Sequence, residues 1–197
     1  MVFHQHGLPE VIRTDNGSPF ASTALAGLSR LAVWWRRLGV RHERIEPAHP
    51  EQNGSHERMH LTLKQETARP RAPNLLAQQE RFDRFVDVFN RERPHEALGQ
   101  APPTDFFRPS ERRFVEPAPE PAYPLHDETR VVTRCGHVYL HKKCCVFVSE
   151  VLGGEHVGLR EVEPNRWLLT FVDLDLGHVD ARQRRFEPME PEEHAAG

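Results

Sequence analysis

The chain lacks a cysteine framework. Its three cysteines, Cys135, Cys144 and Cys145, form no even, spaced set. That excludes a disulfide-stapled secreted scaffold and fits a reduced, cytoplasmic setting. No apolar run is long enough to span a bilayer. The opening residues MVFHQHGLPE carry no basic-then-apolar pattern, so no export is expected. A whole-chain basic excess is also missing. The formal charge is −3, with 14 Lys and Arg against 12 Asp and Glu in residues 1–100 and 12 against 17 in residues 101–197. Any case for nucleic-acid binding therefore rests on local patches. These are Arg36-Arg37, Arg41 with Arg44, Arg69 with Arg71, and Arg182 with Arg184-Arg185. Each alone is the pattern of a solvated surface. No internal repeat is present. What remains is a chain of 197 residues, 38% hydrophobic and 28% charged, the profile of one or two small soluble domains.

Breakers and periodicity divide it. Gly7-Leu8-Pro9 ends a helical tail over residues 1–6, and residues 11–14 read as a short buried strand. Turn chemistry follows in Asp15-Asn16-Gly17-Ser18-Pro19. Apolar residues at helical spacing predict a helix from about residue 22 to Leu38, capped by Gly39. Residues 40–45 alternate like an exposed strand. Two further helices are expected over residues 52–68 and 75–91, the second with a core stripe of Phe82, Phe85, Val86 and Phe89. Seven prolines between 102 and 124 mark a stiffened linker. Beyond it, short period-two runs at 129–133, 138–140, 145–149, 156–159, 167–172 and 178–179 suggest a small barrel. The acidic tail 187–197 reads as loose.

Two carboxylates stand in contexts suited to metal-assisted phosphate chemistry. Asp15 ends the strand Val11-Ile12-Arg13-Thr14, and Glu57 lies in the first turns of a helix, where the macrodipole favours negative charge. They are 42 positions apart, with a helix and a strand between, so chain length allows them to converge. Oxygen donors of this kind suit Mg²⁺, and two such ions about 4 Å apart stabilise an in-line phosphoryl displacement. His60 and Leu61 lie one turn beyond Glu57 and Lys64 two turns beyond, placing Lys64 on the same face. Taken alone, Asp15 is a turn cap and Glu57 a solvated helix residue.

Three segments change that reading: Thr14-Asp15-Asn16-Gly17 with Phe20, His49-Pro50-Glu51-Gln52-Asn53-Gly54 before Glu57, and Asn90-Arg91-Glu92-Arg93-Pro94-His95-Glu96-Ala97-Leu98-Gly99. In this order they resemble the integrase core of DDE transposases, the superfamily of insertion-sequence transposases and retroviral integrases, over residues 7 to about 107. The resemblance implies an α/β fold: a partial RNase H-like integrase core in residues 1–107, a proline-rich linker at 108–127, a small all-β barrel-like domain at 128–186 and an acidic tail. It implies metal-dependent DNA strand cleavage and transfer with Mg²⁺ or Mn²⁺. Asp15 matches the second family aspartate and Glu57 the family glutamate. Asn53 and Gly54 match a loop that approaches DNA, and Lys64 a DNA-touching helix position; His60 is a further candidate for DNA contact. Arg93, Pro94 and His95 match a recurrent element read as packing. The implied partners are transposon ends and target DNA, with a homo-oligomer and a nucleoid-associated cytoplasmic location.

The family's first aspartate lies on a strand upstream of the Asp15 strand, and none of residues 1–6 is an Asp. The chain is therefore expected to be the C-terminal part of a longer protein, with a two-metal site only in the complete one and no strand transfer alone. Two other readings remain open: a non-catalytic DNA-binding or assembly protein that uses the barrel and basic patches, and an inert, poorly folded remnant. Cys135, His137, His141 and Cys144 have zinc-ligand chemistry, but their spacing is tight for a tetrahedral site, and strand packing is the preferred reading. Only one of Trp34 and Trp35 is expected to pack inside.

Overall fold

A computed structural model describes residues 2–20, 22–46, 54–140 and 144–189. In chain order these form helix α1 (Val2–His6), strand β1 (Val11–Thr14), helix α2 (Arg30–Arg37), strand β2 (Arg41–Arg44), and helices α3 (Gly54–Thr67) and α4 (Leu75–Arg91). Strands follow: β3 (Glu128–Val131), β4 (His137–Leu140), β5 (Cys144–Phe147), β6 (His156–Glu163), β7 (Arg166–Phe171), β8 (Leu174–Asp180) and β9 (Arg185–Pro188). Contacts gather into two compact units, Met1–Gly7 with Ile45–Arg112, and Leu8–Arg44 with Arg113–Gly197.

The first unit is built on α3 and α4. Asn74 opens α4 by accepting a hydrogen bond on its side chain from the Ala77 N–H at 2.8 Å. The two helices are tied by Gln78 Nε2 donating to the Thr67 carbonyl (3.2 Å) and by the Arg93–Glu66 ion pair. The Arg93 guanidinium also lies 5.7 Å from the Phe89 ring centroid, and the His95 ring meets Phe89 edge-on at 4.6 Å. Arg93 and His95 therefore pack, as their sequence context suggested. The expected stripe on α4 is narrower than four residues. Phe85 is buried and Phe82 and Phe89 are half-buried, but Val86 is 53% exposed. One residue past Phe85 lies about 100° around the helix, so Val86 faces water while Val88 turns partly inward.

In the second unit, β1 and β2 pair in parallel, Val11 opposite Arg41 and Thr14 opposite Arg44, with α2 as the crossover. This is the mixed helix-and-strand character expected. The helix is shorter than the residue 22–38 expectation. Ala26 and Gly27 hold left-handed backbone, and Ser29 caps the helix proper by accepting from the Ala32 N–H at 3.1 Å. The apolar spacing runs through this break, so periodicity alone overextends the helix. Gly39, at φ 66°, follows its end as expected. Strands β3, β6, β7, β8 and β9 form one antiparallel sheet in that order, and β4 and β5 a separate hairpin. β9 was missed because Arg185-Phe186-Glu187-Pro188 has a single apolar side chain and a proline. Its position at the sheet edge accommodates that proline.

One core joins these parts. Leu28, Ala32 and Val33 pack with Val132, Val138, Leu140, Leu152, Leu159, Leu169, Phe171 and Val179. The proline-rich stretch, read as linker, contributes Tyr123, which is 8% exposed. Its hydroxyl donates to the His156 carbonyl (2.7 Å) and accepts from the Val172 N–H (3.0 Å). Val172 sits at φ 56°, a strained conformation for a β-branched residue, so this bond holds a costly turn. Gly158 leaves the space, since a Cβ there would meet Tyr123 Cδ1 at 2.5 Å. Tyr123→Phe removes the hydroxyl partner of two part-buried backbone groups and is expected to lower unfolding free energy by about 1–3 kcal/mol. Urea denaturation of the full chain checks this; an unchanged midpoint would count against the anchor.

Candidate functional site

α3 presents a polar face to solvent. Glu57, His60, Leu61 and Lys64 recur at helical spacing and all are exposed, while Met59 and Leu63 are half-buried and Thr67 is buried. The sequence-predicted residues Glu57, His60 and Lys64 thus share one helix face. Gly54 begins the helix, and a Cβ there would meet nothing within 4 Å, so packing inside this chain does not demand glycine. Asn53 lies outside the described residues.

Asp15 follows the last residue of β1 and is exposed. Its Oδ1 accepts from the Gly17 N–H at 2.9 Å, and Gly17 in turn accepts on its carbonyl from the Phe20 N–H at 2.9 Å. The Asp-Asn-Gly turn fixes the carboxylate against its own backbone. Asp15 belongs to the second unit and Glu57 to the first. Among the described residues no three His, Cys, Asp or Glu side chains are grouped as a metal site.

Sequence reasoning missed the support beneath Asp15. The Thr14 hydroxyl donates to the Asp15 carbonyl (2.9 Å) and is hydrogen-bonded to His42 Nε2 (2.8 Å). His42 comes from the neighbouring strand and packs edge-on against Trp35 at 5.2 Å, which stacks on Phe20 at 6.1 Å. Strand, turn and helix are thereby braced around one imidazole. A polar Thr and a His on short strands give no periodic signal, and only the parallel register brings them together. Of the two tryptophans, Trp35 is the buried one, while Trp34 is half-buried against Phe114.

The cysteine–histidine run is divided. Leu140 and Cys144 pair on the buried face of the hairpin, and the Cys144 thiol points at the Ala181 carbonyl (3.6 Å). Burial raises its pKa, so it behaves as a core side chain. Cys135 is exposed, His137 Nδ1 is engaged with the Cys135 carbonyl, and His141 lies outside the described residues. Arg182, Arg184 and Arg185 are exposed at the turn between β8 and β9, where Asp180 accepts from the Arg182 and Gln183 N–H groups.

Burial, with Arg44 and Arg36 nearby, lowers the His42 pKa below its ordinary 6.5. The folded state thus favours neutral imidazole. Its contribution to stability is present above the unfolded value near 6.5 and is lost as pH falls through the lower folded value. NMR titration of the imidazole should place its midpoint below that of a free histidine, and His42→Ala should remove the shift-linked part of the acid destabilisation. A midpoint at or above 6.5 contradicts the brace.

Comparison with known proteins adds two partial matches. Residues 38–103 match the integrase core domain family. That stretch contains Asn53, Gly54, Glu57, His60 and Lys64 and does not reach Asp15. The chain is also 31% identical over 107 residues to the "Insertion element IS476 uncharacterized 39.2 kDa protein" of Xanthomonas euvesicatoria, covering 51% of this chain and 28% of that relative. Among the described residues, no helix is long and apolar enough to cross a membrane.

Proposed function

We propose that this chain, which matches the integrase core domain family over residues 38–103 and is similar to an insertion-element protein, serves metal-dependent DNA strand cleavage and transfer as one part of a transposase of that superfamily. The observation that carries this reading is the exposed α3 face, with Glu57, His60 and Lys64 aligned inside the matched segment. Lys64 and His60 contact DNA backbone, and Gly54, with Asn53 beside it, lets a strand approach the start of the helix. Asp15 and Glu57 are the metal ligands. Their oxygens have the chemistry that Mg²⁺ or Mn²⁺ takes, and such an ion supplies charge stabilisation at the phosphate. Among the described residues no three ligand side chains are grouped, and these two carboxylates are the ones proposed to hold the ion.

The same proposal carries the finer architecture: an RNase H-like arrangement around β1, α2 and β2 in a core over 1–107, a connecting segment at 108–127, and a barrel-like closure of the β-rich part at 128–186. Its partners are transposon ends and target DNA, with self-association in the complete protein and a nucleoid-associated cytoplasmic location. The exposed arginines at the β8–β9 turn favour a second reading, a non-catalytic DNA-binding or assembly role.

Fluorescence anisotropy of the full chain on labelled duplex, across a salt series and with Mg²⁺ or Mn²⁺, separates these. Expected are salt-dependent binding, a fall in the salt slope of about 1 for Lys64→Ala, and no strand-transfer product on a denaturing gel. Binding that ignores Lys64→Ala but weakens when Arg182, Arg184 and Arg185 are replaced by Ala selects the second reading. Metal-dependent strand transfer by this chain alone refutes the claim that it is only a part. Absence of salt-dependent binding refutes both.

A further inference from the structure

The α3 face holds a second arrangement that DNA contact does not explain. His56 and His60 stand one turn apart, both exposed, with ring centroids 4.4 Å apart and their Nε2 atoms 2.9 Å from each other. Two imidazole nitrogens held 2.9 Å apart on adjacent turns are close enough to share a cation. The local sequence, His56-Glu57-Arg58-Met59-His60, has the i, i+4 histidine spacing by which a single helix chelates zinc in some hydrolases.

We propose that His56 and His60 form a two-coordinate chelate on α3 for a divalent transition metal, with Cu²⁺ and Ni²⁺ preferred over Zn²⁺. Geometry makes the choice. With metal–nitrogen bonds of about 2.0–2.1 Å, ligands at right angles lie about 2.9 Å apart, whereas tetrahedral ligands lie about 3.4 Å apart. The 2.9 Å separation, set in the free pair by the hydrogen bond between the rings, is already that of neighbouring corners of a tetragonal or octahedral ion, so Cu²⁺ and Ni²⁺ require the smaller rearrangement. The affinity order of divalent metals for imidazole favours the same ions. No third His, Cys, Asp or Glu is grouped with the pair among the described residues, so these two ligands alone are assigned. Both histidines are exposed to solvent, whereas a zinc hydrolase adds a third protein ligand to such a pair; metal binding alone is inferred. In the free pair one Nε2 donates its hydrogen to the other. Binding exchanges that hydrogen bond for two metal–nitrogen bonds, and the donor imidazole moves its proton to Nδ1, so no proton need be lost. The inference does not rest on the proposed DNA function.

The test uses the full chain. In NMR, substoichiometric CuCl₂ or NiCl₂ is expected to broaden the His56 and His60 ring signals before those of the other eleven of the thirteen histidines. Copper titration by calorimetry should show one site, weakened at least about tenfold in His56→Gln and in His60→Gln. Circular dichroism confirms that each variant keeps its helix content, and the broadening experiment on the unaltered chain needs no variant. First broadening at other histidines, or equal copper affinity in the folded variants, overturns the proposal. Tighter binding of Zn²⁺ than of Cu²⁺ overturns the geometric part.

Discussion

The packing of Leu28, Ala32 and Val33 against the β-rich sheets is the contact on which the second unit depends. A helix of eight residues such as α2 is not stable in isolation, because its nucleation cost is spread over too few hydrogen bonds. Tertiary burial must hold it, and Ala32 and Val33, each 3% exposed, supply that burial on one turn. The polar contacts at the rim do less. Arg36 pairs with Asp173 and Arg37 with Glu155, yet burial raises the Glu155 pKa despite its arginine. Desolvation there outweighs pairing. The neutral carboxyl is the form the fold favours, so the Glu155 contribution is fully present below its ordinary value of 4.5 and is lost as pH rises through the raised value. Apolar contact, more than charge, fixes α2 in place.

That contact also shows where sequence reading succeeds and where it stops. Local chemistry was legible: α4 over 75–91, the two strands flanking α2, the turn after Asp15 and most of the β-strands follow from period, caps and breakers. Long-range grouping was not. Nothing in the spacing of residues 22–38 says that they share a core with residues 132–179, since period marks a buried face but never its partner. Tyr123 is a similar case. Seven prolines nearby gave that stretch the composition of a linker, and one aromatic ring with two hydrogen bonds makes it part of the sheet's support.

The site divides in the same way. Glu57, His60 and Lys64 were placed on one face by helical spacing, and the structure puts them there. The brace formed by Thr14 and His42 was invisible, because a parallel register created it and neither residue belongs to a motif. The Asp15 carboxylate itself has two descriptions that do not conflict. Its Oδ1 closes a turn on the Gly17 N–H, which limits its rotamers, and a carboxylate held in one orientation is better prepared for a cation than a free one.

The exposed part of α3 presents two kinds of donor within five residues. Glu57 offers hard oxygen, suited to Mg²⁺ under the proposed assignment, while His56 and His60 offer imidazole nitrogen, suited to softer ions. The two chemistries need not compete for the same metal, because Mg²⁺ holds its waters against nitrogen and Cu²⁺ prefers nitrogen to a lone carboxylate. They do compete for His60. An imidazole bound to copper or nickel is no longer available to a DNA phosphate, yet the cation it carries adds positive charge to the same surface. Whether metal loading weakens or strengthens DNA contact then depends on which matters more at that position, a directed hydrogen bond or net charge. Phosphate contacts are largely electrostatic, so if α3 contacts DNA as proposed the physical balance favours charge: a metal-loaded α3 should hold DNA at least as firmly as the free helix, with less dependence on His60 itself.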